Sequence, residues 1–90
     1  LHELEQIIQE RRREMPEGSY TVTLFNKGVN KIAQKVGEEA TEVVIAALAE
    51  ERDGQIGEIA DLFYHTLVLM AQLDLSLDDI ETKLRERHMK

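Results

Sequence analysis

Apolar residues recur along this chain at helical spacing in five separate blocks, and strand-like alternation is negligible. Leu1, Leu4, Ile7 and Ile8 make a first helix running out through Arg11, Arg12 and Arg13, whose positive charge suits a helix C-terminus. Pro16 and Gly18 then break the chain. A short second helix is expected over Val22, Leu24 and Phe25, with a hydroxyl of the Ser19-Tyr20-Thr21 run to cap it and Gly28 to end it.

A third helix is expected from about Asn30 to Glu50, striped by Val29, Ile32, Ala33, Val36, Ala40, Val43, Val44 and Ala47. Asp53-Gly54 reads as a turn, with Asp53 capping a fourth helix through about Leu73. That helix carries Ile56, Ile59, Ala60, Phe63, Leu67 and Met70 on one face, with Leu62, Val68, Leu69 and Leu73 elsewhere round it. A helix apolar on most sides is buried on most sides. Ninety residues can hardly surround it, so a dimer is expected. Ser76-Leu77-Asp78-Asp79 caps a last helix, with Ile80 and Leu84 inward. The expectation is one all-α domain over residues 1–90, about five helices, its two long antiparallel helices forming the core of the dimer.

Composition narrows the chemistry. There is no Cys, so disulfides, thiolate metal sites and Cys nucleophiles are excluded. No apolar run is long enough to span a membrane, and the first residues do not read as a signal peptide, so a cytoplasmic location is the default. A formal charge of −7 argues against nucleic-acid binding. Without five of the 18 acids, namely Glu38, Glu39, Glu42, Glu58 and Asp61, the balance against the 11 bases falls to −2. Most of the acidity is concentrated in two short motifs.

Those motifs are Glu38-Glu39-x-x-Glu42 and Glu58-x-x-Asp61, each bringing carboxylates one turn apart onto a common helical face. A lone Glu-x-x-Glu is ordinarily solvated surface or an intrahelical ion pair. Two of them bordering the apolar faces of consecutive helices are harder to explain that way. Packed as an antiparallel hairpin, the helices turn these flanks toward each other, and the converging acids suit a hard, oxygen-seeking divalent cation. Lys31 and Lys35 share the flank of the third helix, and His65 that of the fourth. His65 suits a buried structural role as well as a functional one. No Gly-rich phosphate loop and no Gly-x-Ser-x-Gly elbow is present, and the Glu-x-x-His spacing of di-iron bundles is missing.

The spacing Glu39-x-x-Glu42, 15 residues, Glu58-x-x-Asp61 resembles the signature of the all-α, MazG-like nucleoside-triphosphate pyrophosphohydrolases. Ser19-Tyr20-Thr21, Gly28 to Ile32, Lys35 to Val44 and Glu58 to His65 resemble, within that superfamily, the phosphoribosyl-ATP pyrophosphohydrolases of histidine biosynthesis. The resemblance covers nearly the whole chain. It implies a cytoplasmic homodimer that hydrolyses phosphoribosyl-ATP to phosphoribosyl-AMP and pyrophosphate. Magnesium, with manganese able to substitute, would be held by Glu39, Glu42, Glu58 and Asp61. Glu38, or a quartet member not saturated by metal, is the candidate to accept the proton of the attacking water. Lys31 and Lys35 would grip the polyphosphate, and Ser19, Tyr20 and Thr21 would donate hydrogen bonds to substrate. Relatives are often fused to a cyclohydrolase, whose Cys and His ligands this sequence lacks, so one activity is expected. The alternatives are a sister enzyme that clears unwanted nucleotides and, further off, a non-enzymatic helical interaction module.

Overall fold

The computed structural model describes residues 1–89 and contains five helices: α1 (His2–Glu14), α2 (Tyr20–Lys27), α3 (Val29–Ala49), α4 (Arg52–Gln72) and α5 (Leu77–His88). Among the described residues there is no strand. The architecture is the expected all-α bundle.

Local chemistry sets most of the boundaries. Ser19, extended at φ −91°, ψ 127°, caps α2 by accepting from the Val22 amide at 3.4 Å. Gly28, at φ 87°, turns α2 into α3 in a conformation that a side chain would strain. Ser76 and Asp79 form a reciprocal capping box on α5, with bonds of 3.2 and 2.9 Å.

The link between α3 and α4 differs from the expected turn. Asp53 and Gly54 lie inside the first turn of α4, and the connection is the extended pair Glu50-Glu51. Asp53 is favourable there because a negative charge suits a helix N-terminus. Gly54 leaves room beside Glu50: a Cβ would lie 3.2 Å from the Glu50 Cβ and would displace its flexible carboxylate. Gln55 closes the hairpin, its Nε2 donating to the Ala46 and Glu50 carbonyls at 3.3 and 3.1 Å.

The core lies at the far end of this hairpin. Ile8 of α1, Leu24 and Phe25 of α2, and Ile32 of α3 pack with Leu67, Val68, Met70 and Ala71 of α4, and Leu77 closes the cluster. Ile32 and Val68 are fully buried, so truncating either to alanine removes the centre at a cost of about 2–5 kcal/mol.

The rest of the expected stripes is uncovered. Of the α3 stripe only Ile32 is fully buried; Val29 and Val44 are exposed, and the other buried residue of α3 is Ala46. Ile56, Ile59 and Phe63 of α4 are also exposed. Ile80 and Leu84, expected to face inward, are 40% and 44% exposed, because α5 touches the body through Leu77 and has no helix along its length to cover it. The radius of gyration, 14.3 Å, exceeds the ~12 Å expected of a compact chain this long. Half of the central hairpin is bare.

Candidate active site

The acids converge in the bare half of the hairpin. Contact between Gln55 and Ala46 at the link, and proximity of Glu58 and Asp61 to Glu39 further out, fix α3 and α4 as antiparallel. Glu39, Glu58 and Asp61 each offer one carboxylate oxygen within 4.8 Å of the other two. Two ion–oxygen bonds of ~2.1–2.4 Å laid end to end span about that distance, so three hard donors on two rigid helices fit a small divalent cation. Glu42 is exposed and outside this trio, yet near enough for its charge to be felt at Glu58. Partial desolvation first, then the charges of Asp61, Glu42, Glu50 and Glu39, push the Glu58 carboxyl above its ordinary pKa.

Glu50 was not singled out by sequence. It precedes the expected turn and belongs to neither motif, and only the closeness of the hairpin link brings its charge to bear. A second acidic and histidine group, His2, Asp78 and Glu81, has a structural explanation. His2 Nε2 meets Glu81 at 2.9 Å and ties α1 to α5.

Of the cations near the trio, Lys35 is already engaged. Lys35 Nζ lies 3.5 Å from Glu38 and 3.5 Å from Glu39. Partial desolvation works against its ammonium, but Tyr20, Glu38 and Glu39 outweigh it and raise its pKa. Glu38 accepts from Gln34 Nε2 at 3.0 Å. That bond, with Lys35 and Lys31 nearby, holds its carboxyl below the ordinary range against some desolvation. Lys31 is exposed and, among the described residues, in no ion pair within 4 Å.

The three hydroxyls of residues 19–21 have separate places. Ser19 Oγ caps α2 and also accepts from Arg11 at 3.5 Å. Thr21 is buried, its hydroxyl bonded to that of Tyr64. Tyr20 is exposed, with its oxygen 3.3 Å from Nε2 of the buried His65, whose Nδ1 lies 2.7 Å from the main-chain oxygen of Asp61. Tyr64 was missed by sequence because its apolar neighbours on α4 make it look like core.

A cleft of about 480 Å³ lies elsewhere, between the end of α1 and the α4–α5 loop, where Arg12 pairs with Asp74 at 2.6 Å. It holds no cluster of carboxylates. A hollow of about 170 Å³ among Val43, Ala47, Gln55 and Ile59 lies along the bare half of the hairpin. The acid trio marks the candidate site, since metal and phosphate chemistry calls for convergent charge.

A helical hairpin that brings carboxylates from both its helices together is the arrangement expected of all-α pyrophosphohydrolases. The family model for phosphoribosyl-ATP pyrophosphohydrolase matches residues 1–88. The chain is 55% identical over 87 residues to the phosphoribosyl-ATP pyrophosphatase of Metallosphaera sedula, covering 97% of this chain and 94% of that one. It is 47% identical to the phosphoribosyl-ATP pyrophosphatase of Clostridium acetobutylicum, over all of this chain and 82% of that one. To the histidine biosynthesis bifunctional protein HisIE of Bacillus subtilis it is 52% identical, over 98% of this chain but only 42% of the longer relative. The chain belongs to the phosphoribosyl-ATP pyrophosphohydrolase family.

Proposed function

We propose that this chain hydrolyses phosphoribosyl-ATP to phosphoribosyl-AMP and pyrophosphate, the second step of histidine biosynthesis. The observation that carries the reading is the convergence of Glu39, Glu58 and Asp61 from two facing helices, in a chain that matches this family nearly end to end. Glu39, Glu42, Glu58 and Asp61 would hold magnesium, which would supply charge neutralisation for the phosphates. No described helix is long and apolar enough to cross a membrane, which fits work on a small nucleotide in the cytoplasm.

The chain's own side chains do the rest. Lys35 and Lys31 stand beside the acids as point charges for the polyphosphate, holding the anhydride in reach of water. Glu38 is the carboxylate left to take the water's proton. The Gln34 and Lys35 contacts that depress its pKa make it a weak base while they last. The role therefore requires Lys35 to turn from Glu38 to phosphate when substrate arrives. Ser19 holds the start of α2, and Thr21 holds Tyr64. Of the three early hydroxyl residues, Tyr20 is the one whose ring stands in solvent.

The working form is a homodimer. Val44, Ile45 and Leu48 of α3, with Ile56, Ile59 and Phe63 of α4, are between 42% and 84% exposed. They form an apolar surface along the half of the hairpin that carries the acids. A second copy laid on these side chains would cover them and complete a bundle.

The test is pyrophosphate release from phosphoribosyl-ATP with and without magnesium, against a panel of free nucleoside triphosphates. Metal-dependent release with preference for phosphoribosyl-ATP is expected. Equal turnover of the free triphosphates points to a sister enzyme, and no release points to a binding module.

A further inference from the structure

The proposed phosphate chemistry makes no use of His65. It is 6% exposed and lies one turn beyond Asp61 on α4. Its Nδ1 faces the Asp61 main-chain oxygen at 2.7 Å, an atom that only accepts, so the proton of the neutral ring is on Nδ1 and Nε2 is bare. The Tyr20 hydroxyl, 3.3 Å from Nε2, donates to it. The single proton of the phenol is thereby committed inward.

What remains outward is a pair of acceptor sites and the ring face. Neither suits an ionised phosphate oxygen, which is itself an acceptor. They suit a hydroxyl or amino donor and a flat π-system. Tyr20 is 53% exposed although its ring is held from behind. Tyr64 stacks on it at 6.3 Å and 24°, His65 meets it edge-on at 6.1 Å, and the capped start of α2 fixes its backbone. Tyr64 is itself fixed by the buried Thr21 hydroxyl. A loose surface tyrosine has no such backing. The platform also stands beside the acids: its anchor bonds to Asp61, and Tyr20 is close enough to act on the charge of Lys35, the partner of Glu39.

We infer that Tyr20 reads the nucleoside end of the substrate, by stacking on the base and accepting from a hydroxyl or amino group, and that His65 is a positioning residue acting through Tyr20. This rests on the hydrolase reading and adds a subsite to it.

The test uses the whole chain, steady-state kinetics on phosphoribosyl-ATP, and AMP and pyrophosphate as separate inhibitors. Tyr20→Leu is expected to raise KM and weaken AMP about tenfold or more, the scale of a lost base–aromatic stack, while pyrophosphate binds as before. Tyr20→Phe, which keeps the ring and the fold, is expected to raise KM about fivefold, the scale of one neutral hydrogen bond. His65→Leu should match Tyr20→Phe, and the double variant should be no worse than either. His65→Gln, whose amide oxygen can reach the place of Nε2, should recover most of the loss. Equal weakening of AMP and pyrophosphate in Tyr20→Leu, or additive losses at Tyr20 and His65, overturns the inference. An active wild type whose KM ignores Tyr20→Leu sinks this subsite alone, whereas an inactive wild type sinks the hydrolase reading itself.

Discussion

Lys35 and Glu39, one turn apart on α3, stand 3.5 Å from each other, so the ammonium suited to phosphate is already held by a carboxylate suited to metal. Were Glu39 to hold a metal ion, its carboxylate would be shared between that ion and Lys35, leaving the ammonium freer to meet the polyphosphate. Lys35→Ala is therefore expected to raise KM with little change in kcat, since an ammonium contacts ground-state and transition-state phosphates alike. Lys31→Ala should act in the same direction. Steady-state kinetics at saturating magnesium check both, and a selective fall in kcat would place Lys35 in the chemical step instead.

Metal should stabilise the fold. Three carboxylates within 4.8 Å repel when nothing lies between them, and partial desolvation first, with the neighbouring acids adding to it, raises the pKa of Glu58. A ligand that binds only the folded state adds about 2.7 kcal/mol at a hundredfold excess over Kd. Thermal melting with millimolar magnesium or manganese should show an increase in Tm that chelator removes. Glu58→Gln should raise the metal-free Tm and blunt this response.

Amide replacements separate the acids. Glu39→Gln, Glu42→Gln, Glu58→Gln and Asp61→Asn are each expected to cut turnover by at least ~10²-fold, the usual scale for a lost electrostatic group. Glu38→Gln should do the same if it receives the water's proton. Turnover near wild type would leave Glu38 as a partner of Gln34 and Lys35 and nothing more. Circular dichroism confirms that each variant folds.

The apolar half of the hairpin should assemble. Sedimentation at low micromolar concentration is expected to show a dimer, and Leu48→Lys, at the most exposed of these positions, should break it. A wild-type chain that stays monomeric and well folded would remove the basis for the dimer.

Tyr64 offers a pH signature away from the acids. Burial raises its phenol above the ordinary value, and the Thr21 hydrogen bond partly offsets that. The unfolded chain loses this proton first, so the contribution of Tyr64 to stability falls as pH rises from the ordinary tyrosine value, near 10, through the raised one. Phenolate absorbance in a Tyr20→Phe background should show late ionisation, and Thr21→Val should delay it further.

Much of this was legible in the sequence because local rules and tertiary structure agree. Ser76 caps the helix it was expected to cap, Ser19 is the hydroxyl of its run that caps α2, and the periodicity of Leu24, Ile32 and Leu67 marks true core. Asp53-Gly54 misled because turn chemistry and a crowded neighbour both favour glycine, and only the position of Glu50 tells them apart. The α3 stripe was read correctly as apolar, but periodicity does not say whether the covering surface comes from the same chain. Within the site, helical spacing placed Glu39, Glu58 and Asp61 on facing flanks, while the Tyr20–His65 contact joins residues 45 apart in sequence and has no periodic trace.

The slight docking of α5 also bears on how the molecule opens. Its one buried residue is Leu77, and its other ties are the Glu5 carboxylate accepting from the Leu77 amide at 2.7 Å and the exposed His2–Glu81 bridge. Beyond Glu81 the helix has only its own hydrogen bonds and the exposed Lys83–Glu86 pair to resist solvent. Its amides should therefore exchange with deuterium through a local opening much cheaper than global unfolding, while those around Ile32 and Val68 wait for the whole core to separate. The last helix is in effect a separate, weaker unit of cooperativity hinged at Leu77.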